Sequence, residues 1–192
     1  EPFIIAKHLV PLLDSVPSDS IYRGQANELR EKIRPYENNL FEDDMIPENM
    51  LKDLYEIAQK KKLDFVKADF YRFVSKDGSL DKTYIPLTKN KALYNVIVEP
   101  ANRWETFKFV MNTWSGIYSI DFLRRWNIRH NETAGASYQD NGFWFQTFIR
   151  AKRAYFIDKP YYLNRRDNPS SSVFSTSKLW CMRDEYDNLR SI

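Results

Sequence analysis

The chain has a single cysteine, Cys181, in 192 residues. One thiol supplies neither an intrachain disulfide nor a multi-cysteine zinc site, which points to a reducing, cytoplasmic compartment. No apolar run approaches the roughly 18–20 residues that a membrane-spanning helix needs. Residues 3–13 are the most apolar, but Lys7, His8 and Pro11 interrupt them and signal-peptide flanks are lacking. Charge of one sign is not in excess. The 29 Lys and Arg against 26 Asp and Glu leave +3, too little and too dispersed to mark a nucleic-acid partner. His8 and His130 stand in unrelated contexts without ligand spacing, so each reads as satisfied or exposed. There is no internal repeat. The chain begins at Glu1 rather than Met and reads as a piece of something longer.

Aromatic side chains are abundant, at 16% of the residues, and such rings belong in a core, a cleft or an interface. At this length folding buries roughly 70% of the extended-chain surface, enough for a core without staples. Residues 27–34 read as polar helical turns stopped by Pro35. From residue 41 the pattern becomes regular. Pro47 sits at a first helical position, and Met50, Leu51, Leu54, Ile57 and Ala58 recur at helical spacing up to the run Lys60-Lys61-Lys62. Residues 64–74, rich in aromatic and β-branched side chains, read as a strand closed by an Asp77-Gly78 turn.

Further on, residues 83–101 read as a loop with a short strand at 94–98, residues 102–109 as a helix and 113–119 as extended. Residues 121–126 give a short helix, and 138–150 a longer one with Phe143, Trp144 or Phe145, and Phe148 turned inward. Residues 154–157 and 160–164 read as two strands joined by Asp158-Lys159. Residues 177–189 form a last amphipathic helix with Cys181 as a buried small residue. Its Lys178, Arg183, Trp180 and Met182 suit peripheral membrane contact, which Asp184, Glu185 and Asp187 oppose; packing on the domain is the stronger expectation. An RNA platform on Lys67, Tyr71, Arg72 and Phe73 is disfavoured by the small net charge and the lack of an RNP-like motif.

Three groups carry chemistry. Glu42-Asp43-Asp44, just before a helix, suits a hard divalent cation, or else is an acidic loop with Asp44 as a cap. Asp140, opening an aromatic helix, suits a general base on a hydroxyl, or else caps that helix. Arg165-Arg166, beside Asp167-Asn168-Pro169 and three serines, suits a phosphate, or else is a surface turn with Arg165 paired to a carboxylate. Trp114, beside Ser115-Gly116, is the tryptophan best placed to face a cleft.

The order of these elements resembles a bacterial family 2 glycosyltransferase of the kind that builds lipopolysaccharide and other surface polysaccharides. The resemblance runs over about residues 40–188, through Asp43-Asp44-Met45-Ile46-Pro47, Thr113-Trp114-Ser115-Gly116, Tyr138-Gln139-Asp140-Asn141-Gly142-Phe143 and Tyr161-Tyr162-Leu163-Asn164-Arg165. Gln139 stands where the family usually has Glu. Phe41 falls on the first metal Asp, so Glu42, Asp43 and Asp44 are left as the candidate ligands.

The resemblance implies a GT-A-type α/β fold, a mixed sheet flanked by helices, with the family's N-terminal nucleotide-binding elements not recognisable in residues 1–40. Residues 41–174 would be the transferase-like domain and 175–192 a C-terminal helix. It further implies Mn²⁺ or Mg²⁺, a nucleotide-diphospho-sugar donor, a glycan or lipid-linked acceptor, and inverting transfer. Asp140 would be the base, Arg165 and Arg166 would lie near the diphosphate, and Trp114 and Asn141 near the acceptor. The enzyme would work in the cytoplasm, at the inner face of the membrane. The rival reading is a non-catalytic acceptor-binding remnant of such an enzyme.

Overall fold

The computed structural model describes residues 17–20, 23–37, 44–76, 79–133, 138–168 and 180–191. The chain divides into two units, Glu1–Asp44 and Met45–Ile192. In the first, a turn at 17–20 leads into helix α1 (Arg23–Glu37) through the bond from the Arg23 amide to the Ser20 carbonyl. The helix runs past Pro35 instead of stopping there. In the last turn a proline forfeits one bond to the carbonyl four residues back, and the chain still completes the turn. Residues 3–13 lie outside the described residues.

The second unit opens with helix α2 (Met50–Lys61), entered through a Pro47-Glu48-Asn49 turn in which the Met50 amide donates to the Pro47 carbonyl. Met50 and Leu54 are buried, whereas Leu51 faces solvent. Lys62 ends the helix in the left-handed region. Strands β1 (Phe65–Lys76), β2 (Ser79–Ile85), β3 (Ile97–Val98), β4 (Gly116–Tyr118) and β5 (Ala154–Arg165) make one mixed sheet. β1 is its central strand. On one side it pairs antiparallel with β4 through Phe65–Lys67 and with β2 through Phe70–Lys76; on the other it runs parallel to β5, and β3 lies antiparallel beyond β5. Helices α3 (Ile120–Arg125), α4 (Gln139–Arg150) and α5 (Cys181–Arg190) complete the unit. A mixed sheet flanked by helices is the architecture expected from the sequence.

Four expectations need correction. The loop expected from residue 83 begins only after strand β2, whose residues Ser79 to Tyr84 are exposed, so no apolar alternation marks it. The helix expected at 102–109 is a pair of 3₁₀ turns, Pro100–Asn102 and Trp104–Lys108. The two strands expected at 154–164 are one, with the register slipping twice near Asp69 so that Asp158 and Lys159 bulge outward. The last helix is inverted: Trp180, Met182 and Tyr186 are exposed, Cys181 is half-buried and Glu185 is buried. The Lys67–Phe73 platform does not form either, since both of those side chains are buried.

The core is aromatic. Phe65 stacks on Phe148 of α4 at 5.3 Å and meets Phe156 of β5 edge-on, while Phe109 packs on Phe156 at 4.6 Å. Two ionisable residues of β1 are fully buried in it. Asp69 accepts from the Leu87 amide at 2.8 Å, the Tyr94 hydroxyl at 2.6 Å and the Tyr84 hydroxyl. Lys67 donates to both the backbone carbonyl and Oδ1 of Asn112 at 2.8 Å, and lies 3.5 Å from the Tyr118 hydroxyl. Gly116, its pairing partner on β4, must be glycine: a Cβ there would lie 2.2 Å from the Val66 carbonyl oxygen and 2.8 Å from Lys67 Cγ.

The partners of Lys67 are all uncharged, and burial pushes its ammonium down to about 7. Because the folded value lies below the unfolded one of about 10.4, the unfolded chain holds the extra proton between about pH 7 and pH 10. Folding therefore gains stability as pH rises through that window, at up to about 1.4 kcal/mol per unit. Urea denaturation at pH 7 and pH 9.5 should show this rise, and Lys67→Met should flatten it. An identical slope in the variant would contradict the assignment.

Candidate functional site

The sequence candidates fall into two groups in the second unit. The first surrounds the start of α4. Tyr138, the residue before the helix, has φ 64°, a conformation an aromatic residue adopts only when its surroundings enforce it. Tyr138 offers no side-chain cap, and Asp140 is not the cap but lies in the first turn. The turn is held from below. The His130 ring stacks on Phe143 at 4.4 Å, and its Nδ1–H donates to the Gln139 carbonyl at 3.2 Å. Gln139 in turn donates through Nε2 to Thr133 Oγ1 at 2.9 Å. Phe143 meets Tyr118 edge-on at 5.1 Å, and Tyr118 reaches Lys67. The helix start is thus tied to the central strand.

Asp140 and Asn141 are half-buried at the open end of this arrangement. Among the described residues no hydrogen bond or ion pair engages the Asp140 carboxylate. A carboxylate held on a fixed turn, near the amides of a helix start and without an internal partner, is equipped to accept a proton from a bound hydroxyl.

The second group lies where β1 and β5 end side by side. The Arg166 amide donates to the Phe73 carbonyl at 2.9 Å. Asp167 bridges the strands: Oδ2 accepts from the Ser75 amide at 2.7 Å and Oδ1 pairs with Arg165 Nε at 2.7 Å. The Arg165 guanidinium and the Ser75 amide hold the Asp167 carboxyl below the usual carboxylate range. Arg165 is therefore paired to a carboxylate, and Arg166 is exposed. Trp114 stacks on Tyr162 at 4.3 Å and packs edge-on against Phe70 at 4.7 Å, leaving it half-buried on the core. Among the described residues no hydrogen bond, ion pair or ring contact joins Asp140 to Arg165 or Trp114.

Of the three candidate metal ligands, Glu42 and Asp43 lie outside the described residues, and Asp44 is the last residue of the first unit. Among the described residues, no group of three or more His, Cys, Asp or Glu gathers to hold a metal ion. Nor is any described helix long and apolar enough to cross a membrane.

No family model matches the sequence. Over 139 residues the chain is 27% identical to the cholesterol galactosyltransferase of Borreliella burgdorferi, a match covering 68% of this chain and 38% of that protein. It resembles a glycosyltransferase over part of its length. The chain spans little more than a third of that relative. Two crystal structures of S. aureus TarS residues 1–349 are also similar, at 17% identity. One has TM-score 0.45 over 64% of this chain and 33% of that one; the other, in complex with UDP-GlcNAc, has 0.48 over 69% and 35%.

Sequence reasoning missed that Lys67, Asn112 and Glu185 are buried polar side chains. The glycines opposite two of them, Gly116 and Gly142, were the available signal. Trp114 gives a direct check on the second group. Trp114→Ala should cost about 2–4 kcal/mol of stability by removing a ring packed on two others. Urea denaturation showing a loss below about 1 kcal/mol would mean the indole stands free of the core.

Proposed function

We propose that this chain is part of a glycosyltransferase, in which the Met45–Ile192 unit presents Asp140 as the general base that activates an acceptor hydroxyl. The donor is a nucleotide-diphospho-sugar and the acceptor a glycan or a lipid-borne hydroxyl. The observation that carries the reading is the Asp140 carboxylate, without a hydrogen-bond or ion-pair partner among the described residues, on the braced first turn of α4. Partial similarity to a galactosyltransferase supports the same reading.

In the reaction, the acceptor hydroxyl gives its proton to the Asp140 carboxylate as its oxygen attacks the anomeric carbon. The bond from that carbon to the diphosphate oxygen breaks, and the nucleoside diphosphate leaves with the electron pair. Attack opposite the leaving group inverts the anomeric centre. Asn141, next in the turn, orients the acceptor. Arg165 and Arg166 supply positive charge at the end of β5, where a diphosphate would be drawn. Asp167 holds the Arg165 side chain in position for it.

The test is Asp140→Asn in the full-length gene product, followed by nucleoside-diphosphate release from UDP-galactose with cholesterol vesicles and short glycans as acceptors. The amide preserves shape and removes the base, so transfer should fall by about 10²–10⁴-fold with donor binding unchanged. Full transfer activity in Asp140→Asn would overturn the assignment.

A further inference from the structure

Glu185, in the middle of α5, has 2% of its surface exposed and belongs to no part of the chemistry above. Its Oε2 accepts from Asn131 Nδ2 at 3.1 Å, and its Oε1 has no hydrogen-bond partner among the described residues. A carboxylate buried this far is costly unless something nearby favours its charge. Glu185 is pressed against the first turn of α4: a Cβ added at Gly142 would lie 1.9 Å from Oε1 and 3.1 Å from Cδ. The positive dipole end of a helix start favours an anion there.

Glycine within a helix costs about 1 kcal/mol relative to alanine. At position 142 the Glu185 carboxylate occupies the space a side chain would fill. The second contact extends the brace. Asn131 follows His130, which holds the Gln139 carbonyl and stacks on Phe143. One buried carboxylate therefore ties α5, the segment around residues 130–131 and the turn that carries Asp140, two residues before Gly142.

We infer that Glu185 is a positioning residue for the base: its contacts with Gly142 and Asn131 fix the first turn of α4 and so the place of the Asp140 carboxylate. The inference rests on the reading of Asp140 as base. It makes α5 a working part of the site and gives Gly142 a specific reason to be glycine.

Two measurements test it. In the 192-residue chain, ¹³C NMR of the Asp140 side-chain carboxyl carbon needs no substrate. Glu185→Ala should shift that resonance, and Glu185→Gln, which keeps an acceptor for Asn131, should shift it much less. In the full-length gene product turning over UDP-galactose, Glu185→Ala should lower kcat about 10- to 100-fold while leaving the donor KM within about twofold, the signature of a displaced catalytic group. Glu185→Gln should recover most of that kcat. Gly142→Ala should reproduce the loss, yet add nothing in the Glu185→Ala background, where the methyl enters vacated space.

An unmoved Asp140 resonance together with wild-type kcat in Glu185→Ala would overturn the positioning role. If Asp140→Asn is inactive in that same assay, the base stands and only this inference falls. A fully active Asp140→Asn removes the base itself. Should Glu185→Ala fail to fold, Glu185→Gln and Gly142→Ala carry the comparison, and wild-type behaviour of Gly142→Ala would contradict the contact.

Discussion

The structure depends on how β1 buries two ionisable side chains two residues apart. Lys67 and Asp69 are both fully inside, yet neither pairs with an opposite charge among the described residues. A buried ionisable group is tolerated only where hydrogen bonds replace the lost water. Here the replacements come from separate later segments. Tyr84, Leu87 and Tyr94 converge on Asp69; Asn112 and Tyr118 converge on Lys67. The polar residues of one central strand thereby dictate where the chain from residue 84 to residue 118 must run. The slip in register between β1 and β5 falls at Asp69, so the irregular pairing and the buried carboxylate coincide.

The same constraint extends to the helix that carries the candidate base. Tyr118, drawn in beside Lys67, offers its ring edge-on to Phe143, and Phe143 also stacks on the His130 ring. The start of α4 is thus clamped between the sheet on one side and Glu185 on the other. Tyr138 takes up the mismatch in a left-handed conformation just before Asp140. A braced turn that ends in an unengaged carboxylate is a costly arrangement to build. In the proposed reaction that turn would hold the carboxylate still, as a base needs in order to meet a hydroxyl at the right distance.

Much of the fold was legible. β1, α2, α3, α4 and the extended segment at β4 follow from aromatic and β-branched runs or from helical spacing, because those elements bury an apolar face. What escaped has a common physical cause: the signal lies in polar contacts rather than in hydropathy. β2 pairs along β1 but exposes nearly all of its residues, so nothing alternates. β5 continues through Asp158-Lys159 because the pair bulges out, where its charges are solvated. In α5 the buried position is filled by a glutamate and the outer positions by Trp180, Met182 and Tyr186, the reverse of what amphipathicity leads one to expect. Motif order identified the first turn of α4 and the end of β5 as places to look. It said nothing of Lys67 or Glu185, whose roles are set by partners 45 and 54 residues away in the chain.

The proposed function makes this chain part of a nucleotide-sugar-dependent transferase. Isothermal titration calorimetry of the full-length gene product with UDP-, GDP- and dTDP-sugars, with and without Mn²⁺, tests it most directly. Saturable binding of one of these donors is expected. A folded protein that takes up none of them, with or without the metal, would contradict it.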